Sequence, residues 1–359
     1  MFVFTMLIAS VVFTSCSFPG ITPETTVVTV PTETAAPTAT PTPTPAPTNT
    51  PTPTPTPEHI VVSFLGDLTL ADALAWSGAP GSFDAVVDGD WEYCFQNCAD
   101  YLATDDLTYA NFEGTYGDET ASHMTKEFVF ANVPESVQML INGSIEAVNL
   151  SNNHSYDYWE EGLITTQQTL EEAGILWSNQ HQVAVYEVRG IKIGMFGIDM
   201  IGNGDTASTA YPLIDELRAQ GCQIIIASCH WGIERYYEPT NDQVYVGHDL
   251  IDHGVDIVVG AHPHRLEPIE LYNGRYILYS LSNFCFGGNT GLSDPDTCIV
   301  RCEFVMDETN SYVEEYNLTI VPYSQTSFAS NDYCPRPYEW ESDDYYRVLE
   351  RLNWNQEDE

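Results

Sequence analysis

Two histidines, His262 and His264, follow a short apolar, β-branched run at residues 256–259, with Pro263 stiffening the loop between them. Imidazole is the commonest side-chain ligand of transition metals. Two of them at this spacing on a strand-end loop can be held rigidly enough to coordinate an ion. The same pair would also suit a solvent-exposed loop. Four other strand-like runs end in residues of the same chemical type. Residues 60–65 lead into Gly66-Asp67, where the carboxylate is either a hard-cation ligand or a turn or N-cap residue. Residues 107–110 lead into Asn111-Phe112-Glu113, a second carboxylate. Residues 145–150 lead into Asn152-Asn153-His154 with Asp157 close behind. These can supply an amide-oxygen ligand, an acid or imidazole ligand, and a carboxylate that orients the ring, or they can form an Asx-rich turn capping a helix from Trp159. Residues 222–228 lead into Cys229-His230-Trp231-Gly232. Each motif has an ordinary reading alone; five strand ends of this kind in alternating β and α context point to one shared site.

The elements that would position these residues are legible around them. Residues 222–228 are apolar without interruption, which predicts a strand covered on both faces. Helical patterns occupy residues 134–140, 159–173 (closed by Gly174) and 211–220, and residues 183–188 and 191–198 read as a hairpin joined at Arg189-Gly190. The prediction is an α/β domain with its chemistry at the strand ends.

Composition limits the function classes. With 52 acidic against 11 basic side chains, the formal charge of −41 repels nucleic-acid phosphates, so no nucleic-acid partner is expected. Eight of the nine cysteines lie beyond residue 90, and in an exported chain they would allow up to four disulfides, with Cys94 and Cys98 candidates for a local bridge. Cys285 also reads as a small buried hydrophobe.

The chain divides into four segments by composition. Residues 1–16 resemble a lipoprotein signal, an apolar run ending in Ser15-Cys16. Residues 17–57 are a Thr/Pro-rich spacer, whose polyproline character from Pro41 onward would let it extend on the order of 100 Å. The expectation is a protein held at the cell surface by a lipid anchor or signal segment. Residues 58–325 form the folded domain, and residues 326–359 an acidic tail, either a free end or a strip packed on the domain.

The order Gly66-Asp67, Asn111-Phe112-Glu113, Asn152-Asn153-His154 with Asp157, His230-Trp231-Gly232, Gly260-Ala261-His262-Pro263-His264 and Tyr279-Ser280-Leu281-Ser282-Asn283 resembles the CapA family of bacterial capsule and poly-γ-glutamate synthesis proteins. That resemblance implies a four-layer αββα sandwich of the calcineurin-like metallophosphoesterase type and one or two divalent ions, manganese, iron or zinc. Carried onto this chain, Glu113 would bridge the ions, with Asp67 and His264 on one and Asn153, His230 and His262 on the other. His154 would be the acid for a leaving group, held by Asp157. The implied function is a metal-dependent hydrolase or transferase on an anionic capsule or wall polymer. A non-catalytic component of a capsule complex and a secreted phosphoesterase are the alternatives. This sequence departs from the phosphoesterase pattern at Asp67-Leu68-Thr69, where a histidine is expected in place of Thr69.

Overall fold

The strand ending at His230 shows why this sequence builds a buried sheet. All seven residues of Ile224–His230 are buried, and the strand lies between two parallel neighbours, Ile191–Asp199 and Ile257–Ala261. Both of its faces are covered, so its run need not alternate. By contrast, Val313–Ser324 alternates between more exposed and buried positions over residues 317–322 and pairs antiparallel with Asp296–Met306. The coordinates are a computed structural model that describes residues 56–288, 291–327 and 330–354. The signal-like segment and nearly all of the Thr/Pro spacer lie outside the described residues.

Two sheets carry the fold. The first has seven strands in the order Arg336–Pro337, Val313–Ser324, Asp296–Met306, His59–Phe64, Leu107–Asn111, Ala147–Asn149, Leu176–Ser178, with the last four parallel. The second has six strands, Leu266–Tyr272, Arg275–Leu281, Ile257–Ala261, Ile224–His230, Ile191–Asp199 and Ala184–Val188, and its four central strands are parallel. Side chains from both sheets, among them Val62, Phe64, Ile226, Ile257, Leu278 and Val300, share one apolar layer. A second cluster packs the helix Trp159–Ala173 and shorter helices on the outside of the first sheet. A third packs the helices Ala207–Ala219 and Asn241–Asp252 on the outside of the second. The layers are therefore helix, sheet, sheet, helix, the αββα architecture expected.

Several boundaries moved. The helix expected over residues 211–220 begins at Ala207, because Thr206 starts it: its backbone N–H donates to Thr209 Oγ1 at 3.3 Å. The helix Asn241–Asp252 has no counterpart in the sequence reading. Thr240 and Gln243 cap it reciprocally, with Gln243 N donating to Thr240 Oγ1 at 3.3 Å and Thr240 N donating to Gln243 Oε1 at 2.8 Å. Beyond residue 325 the described residues form a packed strip as far as Trp354. Arg336–Pro337 joins the first sheet, and the helix Asp343–Arg351, capped by Ser342, sends Val348, Leu349, Leu352 and Trp354 into the layer between the sheets. No disulfide forms at Cys94 and Cys98; all eight described cysteines are free and buried. Cys94 packs on Met139, with 3.9 Å between the sulfurs, and Cys98 Sγ donates to Phe95 O at 3.5 Å.

Candidate metal centre

Parallel strands in both sheets end at one edge, and this is what gathers residues far apart in the chain. Asp67 follows His59–Phe64, Glu113 follows Leu107–Asn111, and Asn153 and His154 follow Ala147–Asn149. From the second sheet, His230 closes Ile224–His230, and His262 and His264 follow Ile257–Ala261. Close backbone contact makes glycine necessary at two points. A Cβ on Gly66 would lie 2.2 Å from Ser282 O, and one on Gly260 would lie 1.9 Å from Tyr279 O. Both histidines of the His-Pro-His loop adopt left-handed backbone, with φ of 95° at His262 and 53° at His264. Such conformations are costly for residues with a Cβ and persist where surrounding structure enforces them.

All eight residues singled out for the site come together, directly or through a neighbour. Glu113, His262 and His264 offer ligand atoms within 4.8 Å of one another. Glu113 Oε1 also lies 3.8 Å from His230 Nε2 and 3.7 Å from His154 Nε2. Asp67 Oδ2 is 3.3 Å from His264 Nδ1 and accepts from His262 N at 3.2 Å, so it is neither an N-cap nor a surface turn residue. Asn153 Oδ1 is 2.9 Å from His230 Nε2. His154 Nδ1 is 2.9 Å from Asp157 Oδ2. The Asx-turn reading applies only to Asn152, whose Oδ1 accepts from His154 N at 3.0 Å. It does not cap the helix Trp159–Ala173, which has no side-chain cap.

The electrostatics of this cluster are unbalanced. Glu113 is fully buried, and neither carboxylate oxygen has a hydrogen-bond partner. Burial, then the charge of Asp67, pushes its carboxyl well above the usual range, and Lys126 only partly opposes this. His262 Nδ1 also lacks a partner, and burial with the neighbouring His264 pushes the His262 ring down to about 4. Burial and His262 likewise hold His230 well below its ordinary value. Neutral imidazoles around an unpartnered carboxylate form a donor set suited to a divalent transition metal, so the residues fit such an ion. Asp67, Asn153 and His230 flank the same point.

Three functional neighbours escaped the sequence reading. Lys126, one of the chain's two lysines, ion-pairs with Asp157 Oδ1 and lies 3.1 Å from His154 Nδ1. Its Nζ also donates to Asn153 O at 2.8 Å. Asn283 Oδ1 sits 2.7 Å from His264 Nδ1, and Asn111 Nδ2 donates to Asp67 Oδ1 at 3.0 Å. Asn111 and Asn283 stood inside quoted motifs, and only contacts could assign them a role. Lys126 had no sequence signal beyond its rarity. Beside the cluster opens a cavity of about 670 Å³ including its mouth, lined by His154, His264, Phe130, Phe286, Arg235 and Arg265 among others. Thr69 does not substitute for the missing histidine: its Oγ1 accepts from Gly287 N at 2.7 Å.

A four-layer αββα sandwich with imidazoles and carboxylates at its parallel strand ends has the metallophosphoesterase type of fold. Solved structures of low similarity include the calcineurin-like phosphoesterase YfkN from Bacillus subtilis, 14% identical with a TM-score of 0.47, covering 83% of this chain and 97% of that one. A phosphatase from Mycoplasma pneumoniae is 13% identical with a TM-score of 0.45, covering 74% and 95%. Within the fold class the chain belongs to the family described as bacterial capsule synthesis protein PGA_cap, whose profile matches residues 61–288. It is 30% identical over 247 residues to the PGA biosynthesis protein CapA of Bacillus subtilis, covering 62% of each chain. It is 25% identical over 221 residues to the capsule biosynthesis protein CapA of Bacillus anthracis, covering 54% of each. The chain thus spans less than two thirds of these curated relatives.

Proposed function

We propose that this protein is a metal-dependent hydrolase or transferase of capsule or poly-γ-glutamate synthesis, acting on an anionic polymer outside the cell. The observation that carries this reading is Glu113, a buried carboxylate with no partner of its own among His230, His262 and His264. Asp67, Glu113, Asn153, His230, His262 and His264 would hold one or two divalent ions. A bound ion would polarise a substrate oxygen and favour hydroxide over water. His154 borders the cavity, and its ring is fixed by Asp157 and Lys126, so it suits delivery of a proton to a leaving group. Arg235 and Arg265 line the cavity beside Glu234 and Asp294, and their guanidinium groups suit a carboxylate or phosphate group. The aromatic rings of Phe130 and Phe286 pack against His154 and His264, with centroids 4.8 and 4.9 Å apart. Attachment to the membrane through Cys16, and extension through the Thr/Pro spacer, complete the proposal.

A second reading, a non-catalytic component of a capsule assembly complex, is favoured by one observation: Thr69 leaves the first motif an imidazole short. The two are separated by measuring metal content of the full-length protein and its hydrolysis of poly-γ-glutamate and a generic phosphodiester. Metal retained but activity lost in His154→Ala supports the catalytic reading, and the cleaved substrate names the class. Cleavage of the phosphodiester alone points to a phosphoesterase. Metal bound without either activity favours the assembly role. Labelling with radioactive palmitate, lost in Cys16→Ser, checks the anchor.

A further inference from the structure

His264 stands in left-handed backbone at a strand end, a conformation that neighbouring groups must enforce, and the enforcing contacts lead away from the other ligand candidates. The next residue turns back on it. Arg265 Nη1 donates to His264 O at 2.6 Å, Nη2 donates to Ser293 Oγ at 2.7 Å, and Nε lies 3.8 Å from Asp294 Oδ2. A planar guanidinium with each of its three nitrogens engaged has one orientation, and the His264 carbonyl is fixed with it. On the ring side, Asn283 Oδ1 and Asp67 Oδ2 lie 2.7 and 3.3 Å from His264 Nδ1.

Asp294, the buried acid in this clamp, is itself held from the far end of the chain. Arg351 Nη1 donates to its Oδ1 at 2.8 Å and its Oδ2 at 2.7 Å, and Tyr237 OH donates to Oδ2 at 2.8 Å. The Tyr237 ring also serves both arginines, its centroid 6.0 Å from the guanidinium carbon of Arg265 and 5.0 Å from that of Arg351. Arg351 is the last residue of the helix Asp343–Arg351, and neither it nor Asp294 lies within residues 61–288 matched by the family profile. A continuous run of polar contacts therefore joins the C-terminal helix to a ligand candidate of the metal centre. Hydrogen-bonded chains between packed elements are the kind of structure through which such sites are coupled.

We propose that Arg265, Asp294 and Arg351 are positioning residues for His264, so that the metal centre is complete only when the C-terminal helix is docked. The effect on ion affinity rests on the reading of His264 as a metal ligand; the effect on the placement of its ring does not. Arg265 and Asp294 also line the cavity beside His154, so the same contacts shape the wall nearest the candidate acid.

The test follows the imidazole proton–nitrogen correlations of His264 in the metal-free full-length protein, assigned by their loss in His264→Gln. Arg351→Met, Asp294→Asn and Arg265→Lys should each shift or broaden them. Arg347→Met controls for simple loosening of the same helix, because Arg347 binds Asp296 and Asp344 rather than Asp294, and it should leave His264 unmoved. Affinity for zinc or manganese, measured by competition with a chromogenic chelator, should fall roughly tenfold in Arg351→Met and Asp294→Asn and hold its wild-type value in Arg347→Met. Should Arg351→Met not fold, Asp294→Asn carries the test. A wild type that binds neither ion defeats the metal reading, and the His264 resonances then decide the positioning role by themselves. The proposal is overturned if those resonances are unmoved in the folded variants, if Arg347→Met moves them equally, or if a metal-binding wild type loses no affinity on substitution.

Discussion

Glu113 and Asp296 are both fully buried carboxylates in the same domain, and the protein treats them in opposite ways. Asp296 receives Arg347 Nε at 2.8 Å and Nη2 at 2.6 Å, Arg351 Nη1 at 2.7 Å and Tyr338 OH at 2.8 Å. Glu113 receives no hydrogen bond at all. Arg351 and Tyr237 similarly hold Asp294 below the usual carboxylate range despite its burial. Where a buried charge serves the architecture, the chain provides its own cations. Where it is left uncompensated, among the imidazoles of the candidate metal centre, the carboxyl is neutralised by a proton or by a bound cation.

This contrast can be broken most severely at Asp296. Asp296→Asn removes the buried carboxylate that Arg347 and Arg351 share, leaving them only Asp344 and Asp294, and should cost about 3 kcal/mol, read by urea unfolding in the presence of chelator. Glu113→Gln under the same conditions should cost nothing or stabilise, since it replaces a buried carboxyl that has no hydrogen-bond partner. Equal losses in the two variants would end the distinction. The converse experiment adds metal. At one hundred times its dissociation constant, manganese or zinc should stabilise the wild type by about 2.7 kcal/mol and leave Glu113→Gln unchanged.

Lys126→Met sharpens the comparison within the site itself. Lys126 acts on His154 and Asp157 as a positioning residue, so activity should fall on the order of 10- to 100-fold with metal content retained. Loss of metal along with activity would show that it supports the ligands instead. The smallest effect concerns Glu267, another buried carboxylate, which accepts from the neutral Gln243 at 2.7 Å and has one oxygen unpartnered. Burial pushes its carboxyl from 4.5 up to about 8. It is therefore neutral in the fold but ionises in the unfolded chain above about pH 4.5, so stability should be lost as pH rises toward 8. Glu267→Gln should lack that slope, gaining about 1–2 kcal/mol on wild type between pH 5 and pH 7 in thermal unfolding.

The site was largely legible before any fold was known, because its ligand types sit at the ends of locally recognisable strands. Apolar β-branched runs such as residues 222–228 declare themselves by composition, and the Asp, Glu, Asn and His residues that end them need no distant information to be noticed. The region after residue 325 was not legible. Its helix carries Asp343, Asp344, Arg347, Glu350 and Arg351 on one side and only a few apolar residues on the other, a pattern equally suited to a solvated end. Its packing depends on an opening between two sheets that the rest of the chain creates.

The sequence alone determined the strands that end at the candidate site, the chemical types at their ends and the excess of acid. Each is a property of neighbouring residues or a simple count. Tertiary structure decided which acids have partners. Arg347 and Arg351 reach Asp296 across 51 and 55 positions, and Lys126 reaches Asp157 past the helix Gln138–Asn142 and the strand Ala147–Asn149. No local signal distinguishes a carboxylate that will meet an arginine from one that will not. That difference arises only when distant segments pack, and in this protein it separates the scaffold from the candidate metal centre.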